Sequence, residues 1–284
     1  VPDPRSYKLL AVDLDGTLLD LRGKPHERDV RALRALAATG VHVSILTGRL
    51  YSGTRAAAEA IGIQGPVGCA DGSHVVRASD HQTLLHRGLR GEEAHRLRDA
   101  LASNGPATFV FARDAIAHDA RGGAFLPYVR TWSHDVRATD AIEKHEFWSS
   151  DEGVTAVVAV GTAEQIHGTG TDIEAALGTA VQIATFPVKR LPDTWGLVAR
   201  AAGGTKGSAL QFLATHHGLV CAETVCVGDW LNDVSMFAAA GRSYAMGQAP
   251  PEVKRAASHV LEETSERGGG IARAVEEAFH VRVD

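Results

Sequence analysis

The stretch Asp13-Leu14-Asp15-Gly16-Thr17-Leu18 sets two carboxylates one residue apart at the end of an apolar run, Tyr7–Val12. A buried strand that stops on unpaired acids is costly. Paired acids at the carboxyl end of a parallel strand suit a divalent cation or a reacting group. Three further stretches carry matching chemistry. Thr47-Gly48-Arg49 follows the run Val41–Leu46 and offers a hydroxyl. Its glycine lets backbone N–H groups approach an anion closely. Gly203-Gly204-Thr205-Lys206-Gly207 brings an ammonium to the first turn of a helix, where the dipole also favours an anion. Gly228-Asp229-Trp230-Leu231-Asn232-Asp233 adds two acids and a carboxamide. Asp13, Asp15, Asp229 and Asp233 would repel one another if left alone. A hard cation such as Mg2+ takes carboxylate oxygen and leaves positions for water and phosphate oxygens. Cation, hydroxyl, amides and ammonium together describe a phosphoryl site.

These groups need elements to bring them together. Lys8–Val12, Val41–Leu46 and Pro66–Ala70 read as strands. Glu27–Thr39, with apolar Val30, Leu33, Leu36 and Ala37, and Tyr51–Ile61 read as helices. Strand–helix alternation with short connections predicts a parallel sheet with helices on both faces, hence the α/β class. After about His81 the pattern loosens. Gly91–Ser103 and Ala163–Leu177 are helical; Phe109–Phe111, Ala115–His118, Val154–Val160 and Val181–Thr185 are strand-like, so this region reads as a separate α+β unit. Alternation resumes with a helix over Thr205–His216, a strand over Thr224–Val227, a helix over Leu231–Ala240, a strand over Ser243–Met246, and helices over Pro251–Ala257 and Ile271–Phe279. The organisation predicted is a discontinuous core, residues 1–82 and 191–284, with an insert at 83–190. The four chemical stretches then lie at strand ends or open helices, and the carboxyl ends of an open parallel sheet share one crevice.

Taken singly, each stretch has a plainer reading: a turn at Asp-Gly, a strand exit at Thr47–Arg49, helix caps at Asn232 and Asp233. The run Gly203–Ser208 superficially resembles a phosphate-binding Walker A loop but lacks the glycine directly before Lys206. All the plain readings would have to hold at once, in order and at strand ends.

The bulk numbers set bounds. A chain of 284 residues, 44% hydrophobic and 22% charged, can bury a sizeable core in one large or two moderate domains. A net charge of -5 argues against a binder of nucleic acid polymers, which would be basic. Cys69, Cys221 and Cys226 form no close pair, which fits buried thiols and a reducing cytoplasm rather than disulfides or zinc. Val1-Pro2-Asp3-Pro4-Arg5 has no apolar signal core, and no apolar run is long enough to span a membrane.

The motifs Asp-Leu-Asp-Gly-Thr-Leu-Leu, Leu-Thr-Gly-Arg, Thr-Lys-Gly and Gly-Asp-x-x-Asn-Asp resemble the four motifs of the haloacid dehalogenase (HAD) superfamily of phosphatases. Ala245-Met246-Gly247-Gln248-Ala249, followed by Val253-Lys254 and Ala257, is similar to the Cof-type subfamily. The insert lies where that subfamily carries its α/β (type IIB) cap. The resemblance implies a Rossmann-like parallel-sheet core with an inserted α+β cap, and a Mg2+-dependent phosphatase acting on a small phosphorylated metabolite: a sugar phosphate, nucleotide or pyridoxal phosphate. It implies Asp13 as nucleophile, forming an aspartyl-phosphate, and Asp15 as general acid and then base. The Asp13 carboxylate, the Asp15 carbonyl and the Asp229 carboxylate would hold Mg2+. Asp233 would stand behind them or orient Lys206. Thr47, Gly48, Lys206 and Asn232 would hold phosphate oxygens, with Arg49 binding substrate or pairing with an acid.

Two departures stand out. Trp230-Leu231 occupies a place where relatives often carry a smaller or polar residue; Trp230 is expected either to pack under the cap or to touch the leaving group. Cys69-Ala70-Asp71-Gly72 stands where they often have Asn-Gly. The cap would choose the ester, with Arg113, His118, Arg121, Tyr128 and Trp132 as contact candidates and a surface or packing role as the simpler expectation for each. Other readings on the same scaffold are a phosphotransferase or phosphomutase, and a phospho-ligand sensor without turnover.

Overall fold

The structure, a computed structural model, describes residues 7–188 and 191–282, with only the backbone of Tyr128. The stretch Val1–Arg5 and the Tyr128 side chain therefore lie outside the described residues. The chain forms two compact units. The first takes the chain up to Gly48, Thr54–Leu84, and everything from Thr205 on; the second takes Arg49–Gly53 and Leu85–Gly204.

The first unit is built on a five-stranded sheet, in the order His259–Val260, Arg242–Ala245, Thr224–Gly228, Leu9–Val12, His42–Ile45. All four pairings are parallel. Leu9–Val12 is an interior strand, flanked on both sides, and wholly buried, as a parallel strand covered on both faces should be. Its register pairs Val12 with Val227 on one side and with Ile45 on the other. That alignment carries the next residues of three strands, Asp13, Gly228 and Leu46, to the same level. The Asp13 N–H donates to the Val227 carbonyl at 3.0 Å and the Leu46 N–H to the Val12 carbonyl at 2.9 Å.

Helix Glu27–Ala38 packs against helix Gly270–Phe279. Buried Asp29 accepts from the Gly269 and Ala272 N–H groups, both at 2.8 Å, and so satisfies donors the second helix would otherwise leave orphaned. One predicted helix starts late. Instead of running from Leu231, the chain makes a 3-10 turn over Leu231–Asp233 and enters an α-helix only at Val234–Ala239. The cause is Asp233, whose Oδ2 folds back to accept from the N–H groups of Asp229 and Trp230.

The second unit holds a six-stranded mixed sheet: Val181–Pro187, Trp195–Ala201, Ala156–Gly161, Ala107–Ala112, Ala115–His118, Val136–Ala138. Its pairings are antiparallel except the last, which is parallel. Ala107–Ala112 and Ala115–His118 join through Arg113 and Asp114, both at positive φ (50° and 57°), the conformation a tight hairpin needs. Leu97 and Leu101 of helix Gly91–Asn104 and Ile166 and Ile173 of helix Ala163–Leu177 share a core with Val157, Ala159, Leu197, Phe147 and Trp148. The insert expected at 83–190 ends on a residue outside those described. The second unit continues to Gly204, because Trp195–Ala201 pairs with both Val181–Pro187 and Ala156–Gly161. The α/β class, with a parallel core sheet and an inserted mixed-sheet unit, is as expected. Among the described residues no helix is long and apolar enough to cross a membrane.

Candidate active site

Lys206 is the first residue of helix Lys206–His216. Thr205 caps that helix: its Oγ1 accepts from the Ser208 N–H at 3.0 Å while its own N–H donates to the Ser208 Oγ at 3.2 Å. A lysine placed there would ordinarily reach solvent, yet Lys206 is 1% exposed. Its Nζ lies 2.7 Å from Asp13 Oδ1 and 2.5 Å from Asp233 Oδ1. Burial drives its pKa down, but Asp13, Asp233 and Asp71 more than reverse that, so it stays charged.

The buried aspartates differ in how many of their oxygens are engaged. Asp233 is fully buried; one oxygen binds Lys206 and the other takes the Asp229 and Trp230 N–H groups at 2.8 and 2.9 Å. Gly228 makes this fold-back possible, since a Cβ there would sit 2.5 Å from the Asp233 carboxyl. Asp229 accepts at Oδ1 from Thr17 Oγ1 at 2.9 Å. Burial, then repulsion from Asp233, raises its pKa to about 6. Asp13 is pushed well above the ordinary carboxylate range, first by burial, with Asp233 and Asp229 adding to it and Lys206 opposing.

Asp13, Asp229 and Asp233 each offer a carboxylate oxygen, all within 4.8 Å of one another. Three buried acids facing one lysine leave an excess of negative charge that a divalent cation would offset. The donor set is all oxygen, which suits a hard ion. Since both oxygens of Asp233 are committed, Asp13 and Asp229 are the two with capacity for a metal.

Asp15 is exposed where Asp13 is buried. The turn between them and Asp229 has no space for a side chain: Gly16 has φ +82°, and a Cβ there would lie 2.5 Å from Asp229 Oδ2. Thr47 is buried; its N–H donates to Gly68 and its carbonyl accepts from the Asp71 N–H, each at 2.9 Å. Gly48 borders the Asp71 carboxylate. Asn232 spends its Nδ2 on Asp71 Oδ1 at 2.7 Å. Arg49 falls in the second unit, where its Nη1 donates to the Gly53 carbonyl at 3.2 Å. Trp230, expected to pack under the cap or to touch the leaving group, is 37% exposed, and Leu231 is 51% exposed.

Sequence reasoning had no role for three residues of this site. Thr17 steadies Asp229, Gln248 donates through Nε2 to the Gly16 carbonyl, and Asp71 adds an acid beside Lys206. Thr17 stood inside a motif already singled out, and Asp71 in a stretch flagged as a departure, so both had a signal. Gln248 had none that pointed to the site. Of the second unit's candidates, Arg121 pairs with Asp119 and Glu143, Arg113 lies 3.6 Å from Glu146, buried His118 meets the Asp119 carbonyl at 2.8 Å, and Trp132 packs on Phe111.

A parallel sheet with buried acids and a lysine at its carboxyl edge suits phosphoryl chemistry. The family model for haloacid dehalogenase-like hydrolases matches residues 10–275, and the chain belongs to that family. Its class there is the HAD-type phosphatases, the phosphoric monoester hydrolases. The phosphatase YwpJ of Bacillus subtilis is 28% identical over 284 residues, covering 92% of this chain and 96% of the relative. An HMP-PP phosphatase of Yersinia enterocolitica is 26% identical over 251 residues, covering 88% and 87%. The solved structure of a HAD subclass IIB sugar phosphatase superposes with a TM-score of 0.76 at 20% identity, covering 95% of this chain and 98% of that one.

Proposed function

We propose that the chain is a Mg2+-dependent phosphatase that hydrolyses the monoester of a small metabolite through an aspartyl-phosphate on Asp13. The observation that carries the reading is the buried Asp13–Lys206–Asp233 chain with Asp229 beside it. The Asp13 carboxylate, the Asp15 carbonyl and the Asp229 carboxylate would hold Mg2+; when bound, the ion supplies positive charge to the phosphoryl oxygens.

The remaining work belongs to the chain. An Asp13 oxygen attacks phosphorus, and the bond to the leaving oxygen breaks as Asp15 gives that oxygen a proton. Asp15 then takes a proton from water, the hydroxide attacks phosphorus, and the Asp13–phosphorus bond breaks to release phosphate. The exposure of Asp15 supports a proton-transfer role, since it can exchange with solvent and leaving group. Lys206 neutralises charge, and Asp233 fixes Lys206 in place. Thr47, Gly48 and Asn232 would receive phosphate oxygens, and Arg49 would bind substrate or pair with an acid. The HMP-PP phosphatase among the relatives supports a small phosphorylated metabolite; within that, the sugar phosphate, nucleotide and pyridoxal phosphate classes are the candidates.

The test is phosphate release from a panel of such esters with and without Mg2+, in the wild type and Asp13→Asn. Chelation should abolish release, and the variant should lose more than about 10^3-fold in kcat. Equal rates in all four arms would end this reading.

A further inference from the structure

The turn that joins strand Pro66–Cys69 to strand His74–Arg77 reaches into the site, and its backbone is unusual. Ala70, Asp71 and Gly72 all have positive φ: 48°, 53° and 93°. Non-glycine residues there strain the chain. Asp tolerates that region better than most residues; Ala70 has no such excuse. The turn is held from outside. The Asp71 N–H donates to the Thr47 carbonyl at 2.9 Å. Gly72 lies so close to Thr205 that a Cβ would stand 2.2 Å from its carbonyl oxygen. The turn is thus fixed between the loop after the His42–Ile45 strand and the residue that caps the helix of Lys206.

What this fixed turn presents is a carboxylate. Asp71 Oδ1 accepts from Asn232 Nδ2 at 2.7 Å and would lie 3.4 Å from a Cβ on Gly48. A carboxylate can only accept, so it sets which way the Asn232 amide faces. The consequence is that Asn232 Oδ1 is buried with no hydrogen-bond partner among the described residues, an arrangement that disfavours the fold. Backbone strain and an orphaned acceptor are more than a simple connecting turn requires.

Charge makes the arrangement stranger still. Asp13, Asp229 and Asp233 already outnumber Lys206, and Asp71 adds to the negative field on that lysine. With a divalent cation in place, Asp71 turns a balanced cluster into an anionic one. It does so beside the glycine proposed to receive a phosphate oxygen.

We propose that Asp71 is a positioning and selectivity residue of the site: it orients Asn232, and its fixed charge beside Gly48 weakens retention of inorganic phosphate, the product. This rests on the phosphatase reading above. A unit charge at such range in a partly screened site changes anion affinity by about tenfold.

The test is calorimetric titration of the Mg2+-loaded chain with inorganic phosphate, for wild type, Asp71→Asn, Asp71→Ala and Asp71→Gly. Asp71→Asn removes the charge and keeps an acceptor for Asn232, so phosphate should bind about tenfold tighter. Asp71→Ala and Asp71→Gly release Asn232 as well, so their kcat on an aryl phosphate should fall below that of Asp71→Asn. The glycine variant should also be the more stable of these two, because it relieves the strained φ. Phosphate affinity in Asp71→Asn within twofold of wild type, or weaker, overturns the inference, as does an equal kcat in all three variants. Absent turnover in the wild type, with phosphate still tightened in Asp71→Asn, would overturn the phosphatase reading and leave only the effect of the Asp71 charge on phosphate binding.

Discussion

In the first unit, a lysine and two aspartates meet with side-chain exposures of 0%, 6% and 0%. In the second, Arg113, Arg121 and Arg137 pair with Glu146, Asp119 and Asp135; each arginine is 38–44% exposed, although the Asp119 side chain is only 7% exposed. The same chemical pair serves different ends in the two settings. Exposed pairs contribute little and tolerate change. Buried pairs need each partner, since the one left behind is an uncompensated charge. The second unit stores its stability in an apolar core shared by two helices and a sheet. The first gives up part of its interior to a cluster that folding alone would not favour. Charge buried against stability marks the place where chemistry is proposed.

The sharpest way to break this comparison is Lys206→Met. It leaves Asp13 and Asp233 buried without a cation, so the metal-free protein at pH 7 should lose about 3–5 kcal/mol in a urea titration. A variant as stable as wild type would mean that the acids are already neutral there, and the contrast between the units would collapse.

A smaller effect tests whether the acids oppose folding. Asp229 has a folded pKa raised to about 6, first by burial, against about 3.9 in an unfolded chain. The folded state therefore holds that proton more tightly than the unfolded state does. Stability from this group is complete below about pH 4 and is lost as pH rises through about 6, by at most about 3 kcal/mol. Asp229→Asn can still accept from Thr17 and has nothing to titrate. With a chelator present, it should be more stable than wild type at pH 7.5 and lose that advantage by pH 4.5. Parallel stability profiles for the two proteins would show that Asp229 is not a strained charge. Excess Mg2+ should narrow the gap at pH 7.5 by stabilising only the wild type.

Thr17→Val reads the same cluster through one hydrogen bond. It removes the donor to Asp229 Oδ1 and keeps the side-chain volume. Groups that orient a ligand are worth about 10–100-fold in metal affinity, so calorimetric titration with Mg2+ should show a loss of that order. An unchanged affinity would place the metal away from Asp229.

The contrast also explains what could be read from the amino acids. The strand ends were legible because one buried run, Leu9–Val12, has an unambiguous register, and its two neighbours bring Asp229 and Thr47 with them. Lys206 was legible from its place in the first turn of a helix. The late start of helix Val234–Ala239 was not, because Asp233 looked like a cap and instead closes the loop behind it. Arg49 shows a further limit. It is two residues from Thr47, yet the chain changes units between Gly48 and Arg49. Trp195–Ala201 is a sheet strand with a glycine and an arginine in it, a poor strand pattern by composition; its identity comes from partners on both sides. Asp71 is an intermediate case. The departure at Cys69–Gly72 pointed to this corner, but a turn sequence such as Ala-Asp-Gly does not say that its acid will meet Asn232, because that meeting depends on two distant loops holding a strained backbone.

The mildest test lies in the second unit. Arg121 bonds through Nε and Nη2 to Asp119 and through Nη2 to Glu143. Asp119 also accepts from the Arg121 N–H at 3.0 Å, so the turn keeps a backbone partner when the guanidinium is gone. Arg121→Ala should therefore cost less than about 1 kcal/mol in low salt, and less again at 1 M salt, where screening acts within about 3 Å. A loss of 3 kcal/mol or more would mean that the pair behaves as a buried one, and that exposure does not separate the two units. A KM that rises for one ester and not for a generic aryl phosphate would sharpen the comparison differently. It would mean that an arginine already satisfied by two acids can be shared with a substrate.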